Sequence, residues 1–516
     1  MKSHQRLVIM KEKMNVIFII TDAQRADHLG CAGNPILKTP NLDRLASEGV
    51  MFTNYYCTNP ICMPNRATLL TGLYPNVHGV RSNGINLPED IPTITKTLRK
   101  RGWYTAAIGK IHHQFWLGPY KQKTKSAESL FSWAVDKGKK DPVGKNFPIP
   151  YYGYDEVEVI SGNGTVCAGH YTEWLEERAP KIADEMKKRV QNYDNLFSLY
   201  CDGIPEDLYN TTYVQERTIA FLERHAKGEY GDKPFYLHCS FPDPHYPLYP
   251  PKRFQDLYKP EDIELPASFQ DAKNLYHHTY LGHHLKNPPF KKAFLRESTE
   301  DEVRKITALT YAAIAYVDYS VGKILASLEK LGYSENTMVI FTSDHGDLMG
   351  DHGLLFKGPC PFVGPCHIPL IWKVPGLTKS GVSQSLVSTI DLPKTILSLL
   401  NIKERHHPPY MQGLDMSQVL KNPAKKIRDC VLIENDEEVG PLEARIRHLI
   451  TEDYKLTVYE GLDNFGDIYD RKNDTHELNN LWDKKDFRDK RFKLVNKLLQ
   501  ENLKAQSKFP KRIAAT

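Results

Sequence analysis

The chain is expected to fold as an α/β protein, with a large, mostly parallel sheet sandwiched by helices and a smaller C-terminal α+β domain. Three observations predict this. Apolar runs rich in β-branched residues recur along the chain, most of them end in polar or acidic residues, and glycine-closed helical patterns lie between them. In such sheets ligands bind beyond the carboxyl ends of the strands, so the residues that end the runs carry the functional reading.

The first run, NVIFIITD (15–22), is apolar throughout and ends at Asp22, as a strand buried on both faces would. TPNLDRLASEG (39–49) reads as a helix begun near Pro40 and stopped by Gly49. A turn-rich stretch follows to Ile61, and a short helix is expected from Ala67 to Leu70 or Thr71 before Gly72. DIPTITKTLRKRG (90–102) is a further helix, followed by the strand WYTAAIG. The segment 122–230 is lower in signal, with KSAESLFSWAVDKGKKDPVGKNFPIPYYG within it reading as insertion and loop. KPFYLHCSFPDPH (233–245) and NTMVIFTSDHGD (336–347) repeat the pattern of a strand followed by a polar loop, with a long helix over 303–332 between them. After PLIWKVPG and the helix STIDLPKTILSLL, the composition shifts at KERHHPPYMQG. Three strands (VLIEN, RHLI, YKLTVY) and a final basic helix then suggest domains at 12–410 and 411–516.

Composition excludes several classes. The 516 residues carry a formal charge of only +5, with 68 basic residues set against 63 acidic, which gives no nucleic-acid signature. The apolar part of the first strand, VIFII, is too short for a secretory core or a membrane span. Nine cysteines, an odd number and widely spread, fit a reducing compartment better than a disulfide scaffold, so a cytoplasmic location is expected. Asn-x-Ser/Thr matches at Asn163, Asn210 and Asn473 mean little without an export signal.

Within ICMPNRATLLTG, Cys62 stands beside Pro64 and Arg66 near the start of a helix, where backbone N–H groups and the helix dipole favour an anion. Taken alone, a cysteine is more often a small buried apolar side chain. Asp344 and His345, followed by Gly346, lie after a strand as Asp22 does, and the three supply oxygen and nitrogen donors for a divalent cation. Read in isolation, Asp344-His345-Gly346 is also a capped turn. Lys110 and His112, two apart in GKIHHQ, would face one way in an extended segment. Lys357 lies in LLFKGP and His245 in FPDPH; His113 is a weaker candidate, and His352 and His367 read as structural. Two lysines, an arginine and a metal at one strand-end pocket imply a tetrahedral oxyanion.

With these residues in place, CMPNRATLLTG resembles the sulfatase signature Cys-x-Pro-x-Arg followed by Thr-Gly, and GKIH resembles the second sulfatase motif. The similarity runs from NVIFIITD to about PLIWKVPG, and DNFGDIYDRKNDTHELNNL resembles the family's closing segment. The resemblance implies the alkaline-phosphatase-like fold and hydrolysis of sulfate monoesters. It also implies that a formylglycine-generating enzyme converts Cys62 to formylglycine (3-oxoalanine). In the family scheme one hydroxyl of the aldehyde hydrate, held on the metal, attacks sulfur, and the resulting sulfo-enzyme hemiacetal collapses to release sulfate. The residues matching His245 and Lys357 serve the leaving alcohol, His112 assists the collapse, Arg66 holds the formylglycine and Lys110 binds diol or sulfate oxygens.

The chain departs from the commonest pattern at two points. It has Asp22-Ala23 rather than two aspartates, and Asp344-His345 rather than Asp-Asn. An imidazole in place of a carboxylate moves preference from calcium toward manganese, the favoured ion, or toward zinc or iron. The metal ligands expected are Asp22, Cys62, Asp344 and His345, with Gln24 a partial replacement at the altered position. The same set resembles phosphonate monoester hydrolases and choline sulfatases, in which Asn83 matches an anion-pocket residue. Those phosphonate hydrolases replace the lysine and histidine of the second motif, whereas Lys110 and His112 are retained here, which favours sulfate. Phosphonate or phosphodiester hydrolysis with promiscuous sulfatase activity is the alternative reading. Substrate contacts are expected from Asn83, Lys110, His245 and Lys357, with the alcohol chosen by loops 113–165 and 241–300, where Tyr246 and Tyr249 could stack on a ring. The expected partners are a small sulfate ester and the formylglycine-generating enzyme; neither nucleic acid nor membrane is expected, and homo-oligomerisation through the basic C-terminal helix stays open.

Overall fold

The computed structural model describes residues 14–117, 126–130, 133, 146–191, 198–200, 203–286, 295–439 and 442–508. Its main sheet has nine strands: β1 (Asn15–Thr21), β2 (Val50–Phe52), β3 (Tyr104–Lys110), β4 (Glu156–Asn163), β5 (Val166–Gly169), β6 (Phe235–Ser240), β7 (Thr337–Ser343), β8 (Leu370–Lys373) and β9 (Gly381–Ser383). Their order is β9-β2-β8-β7-β1-β6-β3-β4-β5. The five strands from β7 to β4 run parallel. β8 is antiparallel to both of its neighbours, and β5 closes the far edge antiparallel to β4.

All seven residues of β1 are buried, which explains why its run lacks polar alternation. Val16, Phe18 and Ile20 enter the core on one face of the sheet, and Ile17 and Ile19 enter the core on the other. Helices cover both faces: α1 (Pro40–Glu48), α2 (Cys62–Thr71), α3 (Asn210–Ala226) and α4 (Glu300–Lys330). α4 opens with a capping box in which the Thr299 and Glu302 side chains satisfy each other's backbone N–H groups.

Thr39 makes no side-chain bond that caps α1. Asp318 of α4 does that work, accepting from the Leu42 N–H at 2.8 Å, the Asn41 N–H at 3.3 Å and the Asn41 amide at 2.9 Å. Burial pushes the Asp318 carboxyl up to about 6, against the pull of these donors. An acid that holds its proton more tightly folded than unfolded loses stability as pH rises, here from about pH 4 to pH 6. Asp318→Asn is therefore expected to flatten the dependence of Tm on pH across that window. A Tm curve parallel to the parent's would exclude titration of Asp318 there.

Two expectations are corrected. The low signal over 122–230 hides regular structure: the segment supplies β4, β5, α3 and the helices His170–Arg178 and Pro180–Gln191. Glu156 and Glu158 of β4 pair with Arg224 and Arg217 of α3. The signature helix begins at Cys62, not at Ala67. Every residue of α2 is buried, so it has no amphipathic period, and Pro64 in its first turn forgoes an N–H that has no intrahelical partner anyway.

The C-terminal sheet is antiparallel, in chain order β10 (Cys430–Val439), β11 (Leu442–Thr451), β12 (Tyr454–Tyr459) and β13 (Gly466–Asp470). Cys430 and Leu432 pack with Leu494 and Leu498 of α5 (Arg488–Ala505). Val431 and Ile433 face the other way, into the core of the larger body. The sheet therefore packs between α5 and the core of the larger body. Among the described residues no helix is long and apolar enough to cross a membrane. The eight described cysteines are all free, and Cys201 lies outside the described residues.

Candidate active site

Register brings the site together. Thr21 pairs with Ser343, so Asp22 and Asp344 leave adjacent strands side by side. Lys110 is the last residue of β3, and His245 lies in the loop after β6. α2 begins at Cys62 over these strand ends, and the Asn83 side-chain oxygen accepts the Met63 N–H at 3.1 Å.

Cys62 Sγ lies 3.1 Å from His345 Nε2, 3.2 Å from Lys357 Nζ and 3.9 Å from Asp22 Oδ1. Asp22, Cys62, His245 and His345 each bring one ligand atom into a group no more than 4.8 Å across. His345 Nδ1 is 2.8 Å from the Gly346 carbonyl, the second contact that leaves Nε2 of an imidazole to bind a metal. Asp344 borders the group, with Oδ1 3.6 Å from His345 Nε2. His245 also brings a ring nitrogen into this group, so the residue expected on the leaving-group side borders the candidate metal position.

A cation fits this donor set. The Lys357 ammonium already lies among its atoms, 2.6 Å from His345 Nε2 and 2.9 Å from His245 Nε2. Carboxylate oxygens, the His345 imidazole and the Cys62 sulfur form a mixed oxygen, nitrogen and sulfur donor set. Such a set suits manganese, zinc or iron better than calcium.

Arg66 lies beneath the ligands. Its Nε donates to Asp344 Oδ2 at 2.7 Å, and its NH1 donates to the Lys110 carbonyl at 2.7 Å and to Ser240 Oγ at 3.0 Å. Its NH2 is 3.6 Å from Asp22. The structure gives Arg66 no hydrogen bond to Cys62; its bonds hold the two acids. Lys110 donates to Asp22 and to Asn163. Burial and Asp22 push the Cys62 thiol up, but Lys357, Lys110 and His345 outweigh them and hold it well below the ordinary thiol range. Burial likewise opposes the Asp22 charge, and Lys110 and its cationic neighbours hold that carboxyl well below its usual range. The pocket is built to keep an anion at position 62.

His112 reaches Cys62 by a left-handed turn with φ 57°, not by the extended segment expected. Glu128 secures that turn, accepting from the N–H groups of His112 at 2.6 Å, His113 at 2.9 Å and Gln114 at 3.1 Å, and from the Tyr151 hydroxyl at 2.7 Å. Burial pushes His112 down to about 4, so it is neutral at physiological pH. Glu128→Ala is expected to lower stability by about 2–3 kcal/mol, since it strands buried donors, and to lower kcat roughly tenfold or more through His112. Denaturant unfolding alongside kcat checks both. Unchanged kcat in a destabilised protein would show that the turn does not depend on Glu128 for its geometry.

The sulfatase family model matches residues 14–402, and the model for the C-terminal part of N-sulphoglucosamine sulphohydrolase matches residues 350–506. The chain belongs to the sulfatase family. It is 27% identical to an arylsulfatase of Clostridium perfringens over 96% of this chain and 95% of that one. It is 31% identical to the multifunctional alkaline phosphatase superfamily protein PehA of Trinickia caryophylli, over 75% of this chain and 74% of that one. In fold it resembles the phosphonate monoester hydrolase of Agrobacterium radiobacter, with a TM-score of 0.77, 24% identity and 98% of both chains covered.

This sulfatase uses residues that sequence reasoning did not find. Asn163, noted only as a glycosylation match, receives the Lys110 ammonium. Asn65 donates to the Asp344 carbonyl at 2.6 Å, and the Asp243 carbonyl accepts the Asp22 N–H at 3.2 Å. Gln24 does not replace a metal ligand: Thr21 donates to its side chain, which in turn donates to the His28 carbonyl. Tyr246 is buried with its ring against Phe356, so it offers no stacking face, while Tyr249 is partly exposed. His352 bonds Asp271 and stacks on Phe362, and His367 bonds the Thr53 carbonyl, both structural as expected. His113 is buried edge-on against Tyr152, away from any described partner for its ring nitrogens.

Proposed function

We propose that this sulfatase hydrolyses sulfate monoesters and that residue 62 acts as formylglycine, with Cys62 Sγ marking where a hydroxyl of its hydrate lies. The observation that carries this is the frame of position 62: the Lys357 ammonium touches it, the Lys110 ammonium bonds Asp22 beside it, and the imidazoles of His112 and His245 flank it. Formylglycine would supply the nucleophilic hydroxyl. Asp22, Asp344, His345 and residue 62 would hold one divalent ion, with manganese favoured, and that ion would supply positive charge and a lowered hydroxyl pKa.

The protein groups do the rest. Lys110 and Lys357 bind sulfate oxygens, and Asn83 completes the anion pocket at the start of α2. His245 Nδ1 is 2.7 Å from the Tyr246 carbonyl, which directs Nε2 toward Lys357 and the site, the atom from which a proton reaches the leaving alcohol. Neutral His112, beside position 62, would serve as the base for a hydroxyl there. Arg66 keeps Asp22 and Asp344 ionised and in place. We assign catalysis to residues 12–410, with 411–516 as the smaller domain. The reading extends to maturation by a formylglycine-generating enzyme, which the signature supports, and to a cytoplasmic setting, with which the eight free described cysteines are compatible.

The test presents one aryl leaving group as sulfate, phosphate and phosphonate monoesters to enzyme matured with the formylglycine-generating enzyme and loaded with manganese. A kcat/KM at least roughly tenfold higher for sulfate is expected. A preference for phosphonate would mean that the Asp344-His345 metal set, not Lys110 and His112, marks the activity.

A further inference from the structure

The C-terminal strand β10 crosses the loops that flank Cys62, and one of its faces holds two buried side-chain oxygens that no protein group satisfies. Asn435 and Glu437 are two residues apart and share that face. The Asn435 amide donates to the Gly358 carbonyl at 3.0 Å, directly after Lys357. Glu437 Oε1 accepts from Ser82 Oγ at 2.7 Å, directly before Asn83. The strand is thereby pinned to both loops of the anion pocket. Asn435 is 0% exposed and Glu437 2% exposed, yet Asn435 Oδ1 and Glu437 Oε2 have no hydrogen-bond partner. The contrast with the opposite face is informative: Glu434 meets Asn76, Asp436 meets Arg447 and Glu438 meets Arg81. Buried polar oxygens are rarely left unpaired, and each costs free energy unless a ligand supplies its hydrogen-bond partner.

We propose that Asn435 and Glu437 form the subsite for the alcohol half of the ester and select alcohols that carry hydroxyl donors, a sugar rather than a bare aryl ring or a quaternary ammonium. This rests on the sulfate-ester reading above. An amide oxygen and a carboxyl group on one strand face match sugar hydroxyls, which both donate and accept, whereas a quaternary ammonium has no N–H to give and would leave Asn435 Oδ1 unsatisfied. Burial raises Glu437 to about 8, with the Cys62 site adding to the rise. A carboxyl largely neutral at pH 7 suits a neutral hydroxyl and does not repel the sulfate bound next to it. A site that hydrogen-bonds a substrate hydroxyl discriminates strongly against analogues lacking it.

The experiment compares Glu437→Leu and Glu437→Gln with the parent on para-nitrophenyl sulfate and on the positional monosulfates of glucose and galactose. The ratio of kcat/KM for the best hexose sulfate to that for the aryl sulfate is expected to fall about 10- to 100-fold in Glu437→Leu and to recover largely in Glu437→Gln. A merely structural role, supporting Ser82, would lower both substrates together, leave the ratio unchanged and overturn the proposal. A second arm needs no turnover: manganese-loaded Cys62→Ala protein is titrated calorimetrically with glucose and galactose. Binding that weakens when Glu437→Leu is added supports the subsite, and binding of neither sugar overturns it. A parent enzyme that splits aryl sulfate but no hexose sulfate also overturns it. If residue 62 is converted and no sulfate ester reacts, the sulfate-ester reading fails instead, and the sugar titration still decides the subsite.

Discussion

Arg66→Ala is expected to lower kcat by roughly three orders of magnitude or more and to destabilise the protein by about 3–5 kcal/mol. Both effects have one origin. The guanidinium is buried beneath the metal-ligand group, bonded to Asp344 at 2.7 Å and 3.6 Å from Asp22. Removing it leaves two buried carboxylates with less positive charge against them, and uncompensated buried charge is among the costliest single changes in a core. The same guanidinium donates to the Lys110 carbonyl and to Ser240, so its loss also loosens the end of β3, from which Lys110 reaches Asp22. Arg66→Lys is not expected to rescue either property, because one ammonium cannot span Asp344, the Lys110 carbonyl and Ser240 as a planar fork does. Urea unfolding and kcat on an aryl sulfate measure the two effects separately. Parental stability with lost turnover would show that Lys110 alone compensates Asp22, and that Arg66 acts on the substrate rather than on the acids.

Much of this site is legible in sequence because its residues occupy positions with local signals. Asp22 and Asp344 end continuous apolar runs, and buried strands of a parallel sheet place such residues at the ligand-binding edge. Cys62 and Arg66 sit in a motif whose spacing survives without knowledge of the fold. The supporting residues lack any such signal. Glu128 matters only because a left-handed turn at His112 presents three N–H groups to it, and nothing near Glu128 in the chain reveals that turn. Asn163 is one turn residue among many until β4 packs beside β3 and brings it to Lys110. Glu437 lies in an acidic run, ENDEE, that reads as a solvated face until β10 docks on the loops at Ser82 and Gly358. β4 itself was obscured because its alternating glutamates are neutralised by arginines more than fifty residues away in sequence. Local patterning thus exposes the groups that touch the reaction, while the groups that hold them depend on contacts made only by the fold.

His345→Asn is expected to shift metal preference from manganese toward calcium, with the ratio of bound manganese to bound calcium falling roughly tenfold or more. His345 Nδ1 is tied to the Gly346 carbonyl, so Nε2 is the atom turned toward Cys62 and Asp22, at 3.1 and 3.3 Å. Asparagine at this position offers an oxygen on a shorter side chain, and the donor set loses the nitrogen that favours transition metals over calcium. Ala23 makes the argument testable in a second way. It is buried next to Asp22 with φ 66°, a conformation that aspartate tolerates better than alanine does, and its N–H donates to Asp344 Oδ1 at 3.2 Å. Adding Ala23→Asp to His345→Asn is therefore expected to extend the shift by supplying a further carboxylate without backbone cost. Elemental analysis after dialysis against equal manganese and calcium reads the preference directly, independent of turnover, and kcat with each metal reads its consequence. If the single and double variants bind the two metals in the parental ratio, the imidazole is not a ligand. His345 would then serve to position Cys62, to which it stands close enough for a hydrogen bond.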